Sequence, residues 1–271
     1  MYYHDFVKEK LKFLNNSEVR LRILACLSKH PLSLADFKKM SFVSYSSIST
    51  NVHKLCLEGY VEKISRNNFQ LTNMGRIYLI SLMEFHDTIN TVNNFSEFWL
   101  DHDVDALSVK YLKKISDLEG SKLIKSGPAD IYKTHEEFRK LFRDSEILRV
   151  IFPYLHPEYP KLIRKLVSNG SKVQILVPEI ISERFIKSIG ETLVRSAIKT
   201  NILSIKSIEG DVKLALAVSN QWVSIGLFKR DGSYDQSRLL VSNRKEAIKW
   251  SNNIFNSYDK KAKEIDLTAL K

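Results

Sequence analysis

The chain has 271 residues, 44% hydrophobic and 27% charged, with only 9 Gly and 6 Pro, a composition that excludes collagen-like, low-complexity and wholly disordered proteins. Its length favours two domains over one small core. The formal net charge of +11 suits an anionic partner but is spread, 12 Lys and Arg against 9 Asp and Glu over residues 1–100 and 30 against 22 in the rest, so composition admits nucleic acid without establishing it.

The N-terminus, Met1-Tyr2-Tyr3-His4-Asp5, lacks a basic stretch followed by an apolar one, and no apolar run approaches the roughly 20 residues of a membrane span. The expectation is a cytoplasmic protein without membrane contact. Two cysteines, Cys26 and Cys56, sit in helical patterns and read as core thiols, too few for a disulfide framework or a metal cluster.

Val19, Ile23, Leu24 and Leu27 recur at helical spacing after Ser17, an N-cap residue type. Phe6 through Leu14 is expected to join the bundle of a long helix over residues 78–99. A second short helix follows Ser33 (Leu34, Phe37, Met40), and after a break at Ser41-Phe42-Val43 a third runs from near Ser44 to before Gly59. Tyr60–Ile64 and Phe69–Leu71 have strand composition around the polar turn Ser65-Arg66-Asn67-Asn68, which predicts a hairpin. Three helices and a hairpin are the element order of a winged helix-turn-helix.

The third helix decides what such a module touches, because in helix-turn-helix proteins it lies in the major groove. Ile48, Val52 and Leu55 cluster within about 60° as the buried stripe, with Tyr45 and Cys56 at its edge. The other side carries Ser46, Ser47, Ser49, Thr50, Asn51, His53 and Lys54. Short hydroxyls permit close approach to a groove, Lys54 can neutralise a phosphate, and His53 or Asn51 can hydrogen-bond a base edge. Lys63, Arg66 and Asn67 on the hairpin are further DNA-binding candidates, although Asn67 and Asn68 also suit a plain turn.

Ser46 through Leu55, followed by Glu58-Gly59-Tyr60-Val61, resembles the recognition helix of the ArsR-like winged-helix repressors, and Leu71-Thr72 with Gly75 resembles the exit of their wing. The cysteine and acidic metal-sensing motifs of that family's metal-responsive members are missing, so the resemblance implies no metal site.

From Asn73, the residues Tyr78, Leu82, Phe85, Ile89, Val92, Ser96 and Trp99 follow a 4-3-4-3 spacing that lays them along one seam of a long helix. A homodimer through this 78–99 helix is the expectation, with packing inside one chain as the alternative, and Asn90, Asn93 and Asn94 weaken its end.

In the C-terminal half, Ile147–Phe152 reads as a buried strand, His156-Pro157 to Asn169 as a helix closed by Gly170, and Lys172–Val177 as a second, parallel strand. A helix from Glu179 to about Ile198, a strand over Ile202–Ile205, an apolar hairpin of Val212–Val218 and Val223–Phe228, and a closing helix with Ala247, Ile248, Ser251, Ile254, Phe255 and Tyr258 on one side complete an α/β domain. The partition is 1–72 winged helix, 73–100 linking helix and 101–271 regulatory domain, α+β overall with a mixed C-terminal sheet.

No Gly-x-Ser-x-Gly elbow, Cys/His pair, phosphate-binding Gly-rich loop or His-Glu-x-x-His occurs, and the seven histidines are scattered, so no catalysis, metal or cofactor is expected. The strand pattern from Asp211 to Val218, returning over Val223-Ser224-Ile225-Gly226, resembles the phospholipase D-like core. Asp211 stands where that core has the His of His-x-Lys, so the nucleophile is missing while Lys213 is kept.

A second resemblance covers nearly the whole chain. Phe98-Trp99-Leu100-Asp101-His102-Asp103, Ile115-Ser116-Asp117-Leu118, Thr134-His135-Glu136-Glu137-Phe138, Pro153 through Pro160, Gly226-Leu227-Phe228 and Asp231 through Leu240 are similar to segments of the methanogenesis regulatory protein (filamentation-regulator) family of methanogenic archaea. That resemblance implies an archaeal transcription regulator in which a winged helix is joined to a regulatory middle domain. Double-stranded DNA is then the first partner; the resemblance supplies no ligand, and control of the C-terminal domain by a small molecule, an anion among the candidates, or by a partner is the further expectation.

Open α/β sheets place ligands at strand C-ends, which nominates Phe152, Tyr154, His156, Lys213, Tyr234 and Arg238 as effector-binding, with an anion held between Lys213 and Arg238. Against this, the two tyrosines suit packing, while His156-Pro157 and Asp231-Gly232-Ser233 suit a helix start and a turn. A phosphodiesterase-like enzyme with a DNA-docking module and a protein-binding winged-helix scaffold are the alternatives to the regulator.

Overall fold

The computed structural model describes residues 12–14, 16–40 and 43–266. Met1–Asp5, most of the Phe6–Leu14 segment expected to join the bundle, and Ser41 and Phe42 lie outside them. By its internal contacts the chain divides into two units, Met1–His86 and Asp87–Lys271.

In the first unit, α1 (Glu18–Cys26) starts where Ser17 Oγ accepts the Arg20 amide at 3.4 Å, which satisfies a donor the first turn leaves over. After α2 (Leu34–Met40), α3 (Tyr45–Leu57) is capped in the same way by Ser44, which accepts the Ser47 amide at 3.3 Å. The helix stops because Gly59 takes φ +77, a left-handed conformation, and lets the Tyr60 amide close on the Leu55 carbonyl at 2.9 Å. Strands β2 (Val61–Lys63) and β3 (Asn68–Leu71) then form the expected antiparallel hairpin. A two-residue strand that the sequence pattern does not announce, β1 (Leu32–Ser33), pairs with the other edge of β3.

Ile23, Leu24, Phe37, Ile48, Val52, Leu55 and Tyr60 make the core of this unit, so the stripe read on α3 is the buried one. Cys26 and Cys56 are half-buried free thiols. Helix α4 (Asn73–Asn94) crosses the boundary between the units. It is shorter than expected. After Asn94 the backbone leaves helical geometry at Phe95 (φ −117, ψ 28), and α5 (Ser96–Asp101) is a separate short helix, so Ser96 and Trp99 are not on the same helix as Tyr78. The run of asparagines, poor helix formers, accounts for the stop.

The second unit is built on an eight-stranded mixed sheet of order β11-β7-β6-β5-β8-β9-β10-β4. The expected strands are β5 (Ile147–Ile151), β6 (Lys172–Pro178) and β7 (Leu203–Ile208), parallel to one another, and the antiparallel pair β8 (Leu214–Ser219) and β9 (Val223–Leu227). Strands β4 (Lys122–Lys125), β10 (Arg238–Ser242) and β11 (Lys263–Glu264) complete it and were not anticipated as strands. Helices α6 (Val109–Leu112), α7 (Lys133–Phe142) and α8 (Glu158–Ser168) follow in chain order. The single helix expected over 179–198 is two, α9 (Glu179–Ile189) and α10 (Glu191–Lys199), because Gly190 adopts φ +112 and ends the first.

Two apolar layers flank the sheet. One packs α7 to α10 through Phe142, Leu166, Phe185 and Val194; the other packs α11 (Lys245–Asp259) through Trp250, Ile254 and Phe255. Every residue of β9 is buried, as expected for the middle of a covered sheet. No helix among the described residues is long and apolar enough to cross a membrane.

Candidate functional site

The first site is the outer side of α3. Packing of Ile48, Val52 and Leu55 leaves Ser46, Thr50, His53 and Lys54 exposed, while Ser47 and Ser49 are half-buried. Asn51 points elsewhere: its Nδ2 donates to the Ser47 carbonyl at 2.8 Å and its Oδ1 accepts from Arg20 Nη1 at 3.3 Å, so it braces α3 against α1. Lys63, Arg66 and Asn67 are exposed on the hairpin and share a groove of about 340 Å³ with Tyr45 and Ser33. Tyr45, read from the sequence as the edge of the core stripe, is 54% exposed and belongs to this surface.

The second site lies in the second unit and has two chambers. The inner recess is walled by Phe138, Phe152, Tyr154, Tyr159, Tyr234 and Arg238, and its free volume of about 20 Å³ holds about one water molecule. The rings interlock: Phe152 stacks on Tyr159 with centroids 4.1 Å apart, Tyr154 lies 4.5 Å from Tyr234, and the Tyr154 and Tyr159 hydroxyls are 3.1 Å apart. Burial pushes the Tyr159 and Tyr234 hydroxyls well above the usual phenol range, so both stay neutral. The outer chamber, about 350 Å³, shares His135, Phe138 and Tyr159 with the recess and adds Tyr132, His156 and Leu162.

In the wall of the outer chamber, His135 of α7 and His156, two residues before α8, stack with centroids 4.2 Å apart and planes at 21°. The scattered histidines of the sequence thus include one close pair, although no group of three or more metal-ligating side chains occurs among the described residues. Burial lowers both imidazoles from the ordinary 6.5, and His135 lowers His156 further by like-charge repulsion.

A histidine whose pKa is depressed by folding contributes stability above its unfolded value that is lost as pH falls through the folded one. The second unit is therefore expected to lose melting temperature between about pH 7.5 and about pH 5.5, and a His135→Gln/His156→Gln variant to lose clearly less. Tryptophan fluorescence reads this unit alone, because Trp99, Trp222 and Trp250 all lie in it. Equal losses in both proteins would show that the pair does not titrate as its burial requires.

Of the six effector candidates, the fold brings Phe152, Tyr154, Tyr234 and Arg238 to the recess and His156 to the outer chamber. Lys213 lines neither and pairs with Asp103 at 3.1 Å. Arg238 donates through Nε to Asp235 at 2.6 Å and through Nη1 to Asp101 at 2.7 Å. The expected anion clamp between Lys213 and Arg238 therefore loses its basis, since each cation already faces a carboxylate. The sequence reading passed over His135, Thr134, Tyr159 and Gln236 as lining residues, although all four lie in the family-like segments.

A third feature joins two of those segments. His102, 2% exposed, has Nδ1 2.5 Å from the Phe98 carbonyl and Nε2 3.1 Å from Asp235 Oδ2, so both ring nitrogens are placed to donate. Asp235, 1% exposed, also accepts from the Ser237 amide (2.9 Å) and hydroxyl (2.6 Å). Burial pushes the Asp235 carboxyl up, but Ser237 and Arg238 outweigh it and hold the group below the usual carboxylate range.

An exposed, hydroxyl-rich helix face in one unit and an aromatic-walled cavity in the other are the two candidate sites. Two models of one family match the chain, the N-terminal domain of methanogenesis regulatory protein FilR1 over residues 8–90 and its middle domain over residues 131–261. The chain belongs to the FilR1 family. A methanogenesis regulatory protein FilR1 of Methanothrix harundinacea (strain 6Ac) is 26% identical over 265 residues, which are 97% of this chain and 59% of that protein. The chain thus spans little more than half the length of that relative. A regulatory family agrees with the expectation that the chain is not an enzyme.

Among solved structures, TrmBL2, described as an archaeal chromatin protein with a novel mode of DNA binding, aligns over 92% of this chain and 94% of its own at 13% identity and a TM-score of 0.43. Phosphatidylserine synthase of Haemophilus influenzae Rd KW20 aligns over 56% of this chain and 41% of its own, at 13% identity and the same score. Neither likeness is close enough to carry an argument.

Proposed function

We propose that the protein is a sequence-specific DNA-binding transcription regulator, acting in the cytoplasm as a homodimer and controlled by a small molecule bound in its second unit. The observation that carries this reading is the exposed face of α3, where Ser46, Thr50, His53 and Lys54 stand opposite a fully buried stripe. With α1, α2 and the β2–β3 hairpin, α3 supports a winged-helix reading in which it enters the major groove and Lys63, Arg66 and Asn67 reach the flanking backbone. The functional partition is residues 1–72 for DNA, 73–100 for linkage and dimerisation, and 101–271 for regulation. The seam supports the dimer: Phe85, Ile89 and Val92 on α4 are 59%, 43% and 39% exposed, a row of apolar side chains that a second copy would cover.

The effector reading rests on the two chambers. Rings and aliphatic groups make most of their walls, Thr134, Ser224, Gln236 and Glu136 add polar atoms, and Arg238 and Arg139 face Asp235 and Glu158. An uncharged, ring-bearing molecule fits such walls better than the anion first expected. The likeness of β8 and β9 to the phospholipase D-like core belongs to the same reading: Lys213 is engaged by Asp103, and Asp211 replaces the nucleophile, so the scaffold binds without hydrolysing.

Fluorescence anisotropy tests the DNA reading, with a duplex from the gene's own upstream region and a scrambled duplex at low and physiological salt. The upstream duplex is expected to bind preferentially and salt-dependently. A His53→Ala/Lys54→Ala variant should bind it about tenfold or more weaker, with a shallower salt dependence from the lost phosphate contact. Absence of binding at low salt would overturn the reading in favour of a protein-docking scaffold.

A further inference from the structure

The cavity and the segment that follows the long helix share one loop. Tyr234 closes the inner recess with its ring across the bare backbone of Gly226, where a Cβ would lie 3.0 Å from the ring's Cζ and closer still to its hydroxyl. The next residue is Asp235, whose Oδ2 accepts from His102 Nε2 at 3.1 Å and from Arg238 Nε at 2.6 Å. Beyond that carboxylate, Arg238 Nη1 donates to Asp101 at 2.7 Å and to the Glu97 carbonyl at 2.8 Å, and the Asp103 amide donates to the Phe228 carbonyl at 2.8 Å. Residues 97–103 are thus fastened to the 228–238 loop at Glu97, Asp101, His102 and Asp103.

The Tyr234 ring is hemmed in by Tyr154 at 4.5 Å, Phe228 at 5.3 Å and the Gly226 backbone, which leaves it little room to change rotamer, so displacing it shifts its own backbone and the adjoining Asp235. The buried part of the cluster, His102, Asp235 and Arg238, does not stretch gradually, because losing one partner leaves a desolvated charge; Asp101 is its exposed end. Such a contact is held or released. We propose that occupancy of the cavity is passed to residues 96–103 through Tyr234 and the His102–Asp235–Arg238–Asp101 cluster, making the cluster a relay as well as a tie. This inference rests on the reading of the cavity as the effector site.

The relay is tested without DNA or ligand, by hydrogen exchange of the full chain, using Gly226→Ala to push Tyr234 aside as a bound molecule would. Amides of 96–103 are expected to exchange on the order of tenfold faster in Gly226→Ala. Adding Tyr234→Leu, which removes the ring that the new methyl strikes, should return them to within about threefold of wild type. Asp235→Asn should give a similar rise, to which Gly226→Ala adds little, because both act on one path.

Faster exchange confined to the 226–237 loop, or additive effects of Gly226→Ala and Asp235→Asn, would overturn the relay. If Gly226→Ala does not fold, Tyr234→Phe carries the test, since it removes the buried hydroxyl and keeps the ring against Tyr154, without a clash. A change at 229–237 that leaves 96–103 untouched would then overturn it. A failed ligand screen would remove the effector reading and leave these exchange results standing, so the two failures are distinguishable.

Discussion

Gly75→Ala is expected to destabilise the first unit by about 3 kcal/mol, although glycine-to-alanine changes inside a helix ordinarily stabilise by about 1 kcal/mol. The sign reverses because of where Thr72 holds the first turn of α4. Its Oγ1 accepts the Gly75 amide at 3.0 Å and donates to the Gly59 carbonyl at 2.7 Å, while its amide donates to the Tyr60 carbonyl at 3.1 Å. A Cβ on Gly75 would lie 2.9 Å from the Tyr60 carbonyl carbon and closer still to its oxygen. Backbone at that point cannot retreat, since Tyr60 is 1% exposed and Val61 is already paired with Leu71. Circular dichroism should show a melting transition lower by about 10 °C or more. Tryptophan fluorescence should not move, because every tryptophan lies in the other unit. An unchanged or raised transition would refute the close approach.

Asp235→Ala is expected to cost the second unit about 3–5 kcal/mol, the usual penalty for removing one partner of a buried charge cluster. His102 would keep a buried ring nitrogen without its acceptor, and Arg238, whose side chain is 14% exposed, would lose its Nε contact. The fluorescence melt should fall by about 10 °C, and Asp235→Asn, which keeps an acceptor oxygen, should fall less. The carboxyl is held below its ordinary value in the folded chain, so its contribution is present above the unfolded value of 3.8 and disappears as pH falls below it. Wild type and variant should therefore converge in acid. A loss under about 1 kcal/mol near neutral pH would mean that the cluster is solvated and not buried.

Much of the fold was legible because its signals are local. Ser17 and Ser44 cap the helices they precede, Gly59 turns α3 into β2, and the period of Ile48, Val52 and Leu55 marks the buried stripe. Strands β5 to β9 announce themselves as apolar runs. The two errors of extent, α4 continued past Asn94 and the 179–198 helix carried through Gly190, arose where apolar periodicity persisted across residues that break a helix. Strands β4 and β10 escaped notice because each is short and gains its identity from distant partners, β4 from β10, with Leu239 opposite Ile124, and β10 from β9 as well.

The sites divide in the same way. The exposed set on α3 follows from helical geometry alone, apart from Asn51, which the fold turns toward Arg20, and Tyr45, which it turns outward. Nothing local pairs His135 with His156, or Asp235 with a histidine 133 positions earlier, and the cations read as an anion clamp met their carboxylates only in the folded chain. By itself the sequence determined most of the helices, the parallel core strands and the exposed face of α3, because periodicity, capping and turn conformation act over a few residues. Only the tertiary structure decided which distant side chains meet, since charge compensation, ring stacking and cavity shape depend on contacts that no spacing along the chain encodes.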